Sequence, residues 1–145
     1  MSASTHSDGK GQWLERLDLN QYKNQVVYLD YWASWCGPCR KSFPWLNSIQ
    51  AKYHDQGLVV IGINLDADFK SAEEFLTSVP AEFKLFSDPE SKWAEKYKLI
   101  GMPSSFVLDG NGEIRHRHVG FKKVSIKQYE ESIVSLLDDI KNKGE

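Results

Sequence analysis

Cys36 and Cys39 are the only cysteines of the chain, and Gly37-Pro38 separates them. A pair at this spacing can close a disulfide and exchange it, or it can supply half of a tetrahedral zinc site. The metal reading needs two further ligands. The imidazoles available are His6, His54, His116 and His118, and there is no second cysteine pair, so no metal site is expected. Thiol chemistry needs a sulfur that ionises easily, and the neighbouring residues indicate how that is arranged. The run VVYLDYWA (26–33) is β-branched and aromatic, the pattern of a strand buried on both faces. From Pro38 onward Cys39, Phe43, Leu46, Ile49 and Tyr53 recur near helical spacing, with Pro38 tolerated in the first turn. Cys36 therefore stands just ahead of a helix, where free N–H groups and the helix dipole favour thiolate over thiol. Cys36 is expected to be the attacking sulfur, with Cys39 one turn away to resolve a mixed disulfide. Asp30 interrupts the strand, and a carboxylate buried there costs a few kcal/mol unless it is paired or protonated. It is either a hydrogen-bonded structural acid or one whose perturbed proton affinity serves the cysteines.

The remaining elements must hold this junction in place. LVVIGINLD (58–66) reads as a second buried strand, and a strand-helix-strand crossover implies parallel pairing. Pro44 is expected to kink the intervening helix. Ser71-Ala72-Glu73-Glu74 has the form of a capping box opening a helix with Ala72, Phe75, Leu76 and Val79 on one face. A short strand over 83–87 follows, and Asp88 and Pro89 then open a helix carrying Trp93, Ala94 and Tyr97. Gly110-Asn111-Gly112 joins two strands into an antiparallel hairpin. His116 and His118 share one face of its second strand, which is expected to be solvated and is assigned no role. A final amphipathic helix carries Ile126, Tyr129, Ile133, Leu136, Leu137 and Ile140. The fold class is α/β, a mixed β-sheet flanked by helices.

At 145 residues and 41% hydrophobic content, the chain is expected to be a single domain, 1–145, with residues 1–12 flexible. A net charge of -2 with dispersed lysines and arginines gives no footprint for nucleic acid or an acidic membrane. No apolar run approaches the roughly 20 residues that span a bilayer, and the first dozen residues lack the apolar segment of a leader. A soluble chain without membrane contact is expected, and a cleaved leader would leave no trace in it.

DYWASWCGPCRKSFP resembles the active-site segment of thioredoxin in its WCGPC core, in the acid six residues before the first cysteine and in the proline five after the second. GMPSSFVLDGNGE resembles that family's Gly-X-Pro-Thr motif with its hairpin, and Val119-Gly120 resembles the glycine-bearing substrate loop. About twenty additional residues, 68–88, form a central β-α insertion that is similar to the TlpA-like group, which includes the ResA and CcmG types. The resemblance implies a thioredoxin-like fold and a thiol-disulfide oxidoreductase without a cofactor other than its redox-active disulfide. It implies a catalytic set of Cys36, Cys39 and Asp30, the acid acting as base for Cys39. Substrate contact is implied for Trp35, Gly37, Pro38, Met102, Pro103 and Gly120. A cis bond before Pro103 is implied, with the Met102 backbone offered to an extended substrate segment, and the lysine that assists the acid in thioredoxin aligns with Gly62. Trp32 is a packing residue; Trp45 has no thioredoxin counterpart and is either apolar surface near the site or helix-face core.

The implied partners are a disulfide-bearing protein substrate and an upstream thiol reductase, the chain acting as a monomer. The implied location is extracytoplasmic, in a bacterial periplasm or anchored outside the cytoplasm, with a cytoplasmic location as the alternative. Gly-Pro as the central dipeptide favours a reductant, because thioredoxin lies near -270 mV and the oxidant DsbA near -120 mV, about 7 kcal/mol apart. Two other functions are weighed. A peroxiredoxin-like peroxidase would set its cysteine in Pro-x-x-x-Thr/Ser-x-x-Cys, which LDYWASWC lacks. A metal-delivery or redox-sensing module would bind copper or zinc tightly.

Overall fold

A computed structural model describes residues 17–88 and 101–143. Its centre is a five-stranded sheet, built from β1 (Val26–Trp32), β2 (Leu58–Asn64), β3 (Lys84–Ser87), β4 (Ser104–Leu108) and β5 (Ile114–Val119). The spatial order is β3-β2-β1-β4-β5. β2 lies parallel to β1 and to β3, whereas β4 runs antiparallel to β1 and to β5. Both central strands are buried along their whole length, as their unbroken apolar runs require.

Three α-helices are described, α1 (Gly37–Tyr53), α2 (Phe69–Ser78) and α3 (Lys123–Lys143). Side chains alternate along a strand, so Val26, Tyr28, Asp30 and Trp32 share one face of β1. Cys39, Phe43, Leu46, Ile49 and Tyr53 of α1 pack on this face together with Phe75 of α2 and Ile133, Leu136 and Leu137 of α3. The ring of Trp32 sits at 4.9 Å from both Phe43 and Phe75, so one indole joins the first strand to two helices. The opposite face presents Val27, Leu29, Tyr31, Ile61, Ile63, Phe86 and Phe106 as a second apolar cluster.

Several boundaries differ from those read in the sequence. α2 opens three residues before the capping box at Ser71: Asp68 is its N-cap and accepts from the amide of Lys70 at 3.0 Å. A carboxylate is as good a cap as a serine hydroxyl, and this one comes first along the chain. α1 continues through Pro44 as a single element, the proline removing only the bond to the carbonyl of Arg40. α2 and β3 both fall in the segment identified as an insertion, and β3 extends the sheet outward from β2. The helix expected from Pro89, with Trp93, Ala94 and Tyr97, lies outside the described residues, as do residues 1–12.

Candidate active site

The chain leaves β1 at Trp32, turns through 33–36 and enters α1, with Cys36 as N-cap and Pro38 in the first turn. Cys36 and Cys39 form a disulfide with their Cα atoms 5.3 Å apart. The amide of Cys39 donates to the Cys36 sulfur at 3.2 Å, so one of the unpaired N–H groups of the helix start is aimed at that atom. Cys39 is fully buried, Cys36 nearly so, while Gly37 and Pro38 are exposed. Trp35 is 69% exposed, an unusual setting for so large an apolar side chain. Trp32, by contrast, is buried, and it packs as its place in the strand implies.

The turn is tethered to the end of β2. The carboxylate of Asp66 accepts from the amide of Ser34 at 2.8 Å, from the Ser34 hydroxyl at 2.7 Å and from the side-chain amide of Asn64 at 2.8 Å. Asn64 in turn accepts from the amide of Asp66 at 3.0 Å, and the amide of Leu65 donates to the carbonyl of Trp32 at 2.9 Å.

Asp30 is 1% exposed on the face that carries the buried cysteine. Its Oδ1 accepts from the hydroxyl of Ser105 at 3.1 Å, and its Oδ2 is buried without a hydrogen-bond partner. Burial raises its pKa to about 7, against the opposing effect of the Ser105 bond. Ser105 is set beside it by the sheet, since the two are direct partners across β1 and β4. On the other side the partner of Asp30 is Gly62, where thioredoxin has its lysine. A Cβ at Gly62 would fall 2.9 Å from Phe83, 3.0 Å from Leu85 and 3.1 Å from the indole nitrogen of Trp32. Aromatic and aliphatic groups thus occupy the space that a longer side chain would need. Gly62→Ala is expected to lower stability by about 1–3 kcal/mol, measured by urea denaturation, because those buried neighbours must shift.

The Met102-Pro103 peptide is cis, as expected. Ser104 pairs with Tyr31 and with Val119, which brings Pro103 and Gly120 to the end of the sheet where the chain leaves β1. The amide of Gly120, at φ +83°, donates to the carbonyl of Pro103 at 2.8 Å and ties the two loops together. Met102 is half-buried and packs against both apolar clusters.

Ser105 and Asp66 were not singled out in the sequence. Ser105 was detectable as a polar residue on the inward-facing period of a strand; Asp66, beyond the end of β2, carries no local signal. His118 departs from the solvated hairpin face expected for it. It pairs with Ser105 across β4 and β5 and stacks on Tyr129 of α3 at 3.7 Å, with the rings 6° from parallel. Burial, with the nearby His116, lowers its pKa to about 4. Trp45 faces Tyr28, Tyr129 and Phe121 at 5.7–6.2 Å, which makes it a half-buried part of the packing between α1 and α3. No group of three or more potential metal ligands occurs among the described residues. Nor is any helix among them long and apolar enough to cross a membrane.

A strand-turn-helix cysteine pair, a buried acid on the adjoining strand and a cis-proline loop at the same sheet end are features of thioredoxin-fold redox proteins. The chain belongs to the Redoxin family, whose model it matches over residues 5–133. Within that family it is of the TlpA-like kind that includes ResA and CcmG, as its relatives make plain. It is 27% identical over 100 residues to the thiol-disulfide oxidoreductase ResA of Bacillus thuringiensis, covering 69% of this chain and 58% of that protein. The chain therefore spans less than three fifths of that relative's length. Among solved structures, it is 46% identical, with a TM-score of 0.81, to a chain from Chlorobium tepidum assigned as the thiol:disulfide interchange protein DsbE; the match covers 83% of this chain and 86% of the other. StoA of Bacillus subtilis is 27% identical with a TM-score of 0.65, over 75% of this chain and 82% of its own.

Proposed function

We propose that this protein is a thiol-disulfide oxidoreductase that reduces disulfides in protein substrates. The observation that carries the reading is the Cys36–Cys39 disulfide at the start of α1, with the buried Asp30 on the adjoining strand. In the reduced form the Cys36 thiolate attacks one sulfur of a substrate disulfide; a mixed disulfide forms and the other substrate sulfur leaves as a thiolate. Asp30 takes the proton of the Cys39 thiol, which then attacks Cys36. The substrate departs as a dithiol: its two electrons come from the cysteine pair, one proton is the Cys39 proton given up by Asp30 to solvent, the other comes from water in place of the one Cys36 lost on ionising, and Cys36–Cys39 is again a disulfide. An upstream thiol reductase restores the dithiol.

The exposed Trp35, Gly37 and Pro38, with Met102, Pro103 and Gly120 across from them, form the surface on which an extended substrate segment docks, its backbone pairing with that of Met102. The relatives named thiol-disulfide oxidoreductase and thiol:disulfide interchange protein support the reaction. The protein acts as a monomer outside the cytoplasm, where disulfide-bearing substrates occur.

The test is the Cys36–Cys39 reduction potential, measured by equilibration with glutathione or dithiothreitol, acid trapping and mass analysis. A value below about -220 mV is expected for a reductant. One above about -150 mV overturns the direction in favour of disulfide formation or isomerisation.

A further inference from the structure

The Asp66 carboxylate lies outside the reaction described above, yet it holds the turn that presents the nucleophile. It is 6% exposed, and three donors converge on its two oxygens. Two of those donors, the backbone N–H and the hydroxyl, belong to one residue, Ser34. Two bonds from one carboxylate to one residue fix orientation as well as position. Ser34 is two residues from Cys36, so the spans between their Cα atoms cannot exceed roughly 7 Å. Between them stands Trp35, exposed and contributing little packing of its own to hold the turn. Among the described residues, the Cys36 amide also donates to the carbonyl of Ala33 at 3.2 Å within the turn. Asp66 is itself held by the reciprocal bonds with Asn64, and Asn64 is anchored through its pairing with Trp32 and through its carbonyl, which accepts from the amide of Asp88 at 2.8 Å. The tether thus begins on the rigid sheet and ends beside the reactive sulfur.

We propose that Asp66 is a positioning residue for Cys36: by gripping Ser34 it seats the sulfur at the helix start, where the Cys39 amide meets it. A looser turn would let the Cys36 thiolate drift from that donor and from the positive end of the helix, and the thiol would ionise less readily. Other charged or titratable groups near this end of the sheet are Arg40 on α1 and Glu74 on α2, which line one cleft with Ser34, Asp88 beyond β3, whose amide meets Asn64, and Asp30 on β1. Arg40 lies over the ring of Phe75 at 4.8 Å and so keeps its cation close to the same helix start. All of these residues are present in the parent and in the variants alike.

The role rests on the reading of Cys36 as the attacking sulfur, and one experiment separates the two. The reduced protein is alkylated with iodoacetamide from pH 5 to pH 10, the rate is followed and the labelled cysteine is identified by peptide mapping. In the parent, label is expected on Cys36. Asp66→Ala releases Ser34 and is expected to slow labelling at pH 7 by about threefold to tenfold and to move the midpoint of the pH profile upward. Asp66→Asn removes the same negative charge as Asp66→Ala but keeps an acceptor for the Ser34 amide, and because the geometry is retained it is expected to stay within about twofold of the parent. Ser34→Ala, which deletes one bond at a half-exposed residue, is expected to shift the profile in the same direction as Asp66→Ala, by less, and serves if that variant does not fold. Label on Cys36 with parental profiles in Asp66→Ala and Ser34→Ala overturns the role of Asp66 alone. An Asn variant as slow as the Ala variant overturns it too, because geometry is then not what matters. Label on Cys39 in the parent overturns the nucleophile assignment and this role with it.

Discussion

Cys36→Ser is expected to lower the rate of protein-disulfide reduction by more than about a thousandfold, because an alcohol at neutral pH supplies almost no anionic nucleophile. Cys39→Ser is expected to behave differently. The first attack proceeds at near the parental rate, since Cys36 keeps its place at the helix start. The mixed disulfide then persists, because the group that would release it is gone. Mass analysis after mixing the reduced Cys39→Ser protein with an oxidised substrate protein should show one stoichiometric adduct, reversible by dithiothreitol. Equal adduct formation by the two variants would show that either sulfur can attack, and the burial of Cys39 would then have no bearing on which one does.

Asp30→Asn is expected to stabilise the oxidised protein, by an amount that depends on pH. The native carboxyl has a pKa of about 7, above the unfolded value of about 3.9. Between these values the folded state holds a proton that the unfolded state has lost, so the stability of the parent falls as pH rises from 4 through 7 and is level above that. The full difference corresponds to about 4 kcal/mol, an upper figure, since a buried asparagine must also find a partner for its amide. The variant should therefore match the parent near pH 4 and exceed it by about 2–4 kcal/mol at pH 8 in urea denaturation. A constant difference across that range would mean that Asp30 does not titrate between folded and unfolded states as its burial dictates. The same proton must have left the carboxyl before it can act as base for Cys39, and a pKa of about 7 leaves a share of the carboxylate free to do so near neutral pH.

This acid illustrates how site and fold divide between local and distant information. That Asp30 interrupts a doubly buried strand is legible from eight consecutive residues. That its one hydrogen bond comes from Ser105 is not, because the bond joins strands separated by 75 positions in the chain. The absence of a lysine beside it could be noted by alignment, but the reason a side chain at Gly62 is disfavoured lies in Phe83 and Leu85, which the inserted segment delivers. His118 was read from strand periodicity as facing water. The alternation was right, and the face was wrong, because the face is decided by Tyr129 of α3 lying over it. The start of α2 moved for a more local reason: two adjacent caps compete, and the sequence alone does not rank Asp68 against Ser71.

What the sequence by itself determined is therefore what depends on neighbours in the chain. The cysteine spacing, the strand-to-helix junction that seats Cys36, the two buried parallel strands, the hairpin turn and the final amphipathic helix all follow from periods of two and 3.6 and from turn chemistry. Only the tertiary structure decided what the chemistry needs from afar: Ser105 beside Asp30, closed packing over Gly62, Asp66 on Ser34, and Pro103 and Gly120 at the sheet end where the chain leaves β1. The physical reason is that hydrogen bonding and desolvation act over a few ångströms in space, and which groups lie that close across a sheet is set by strand order and register.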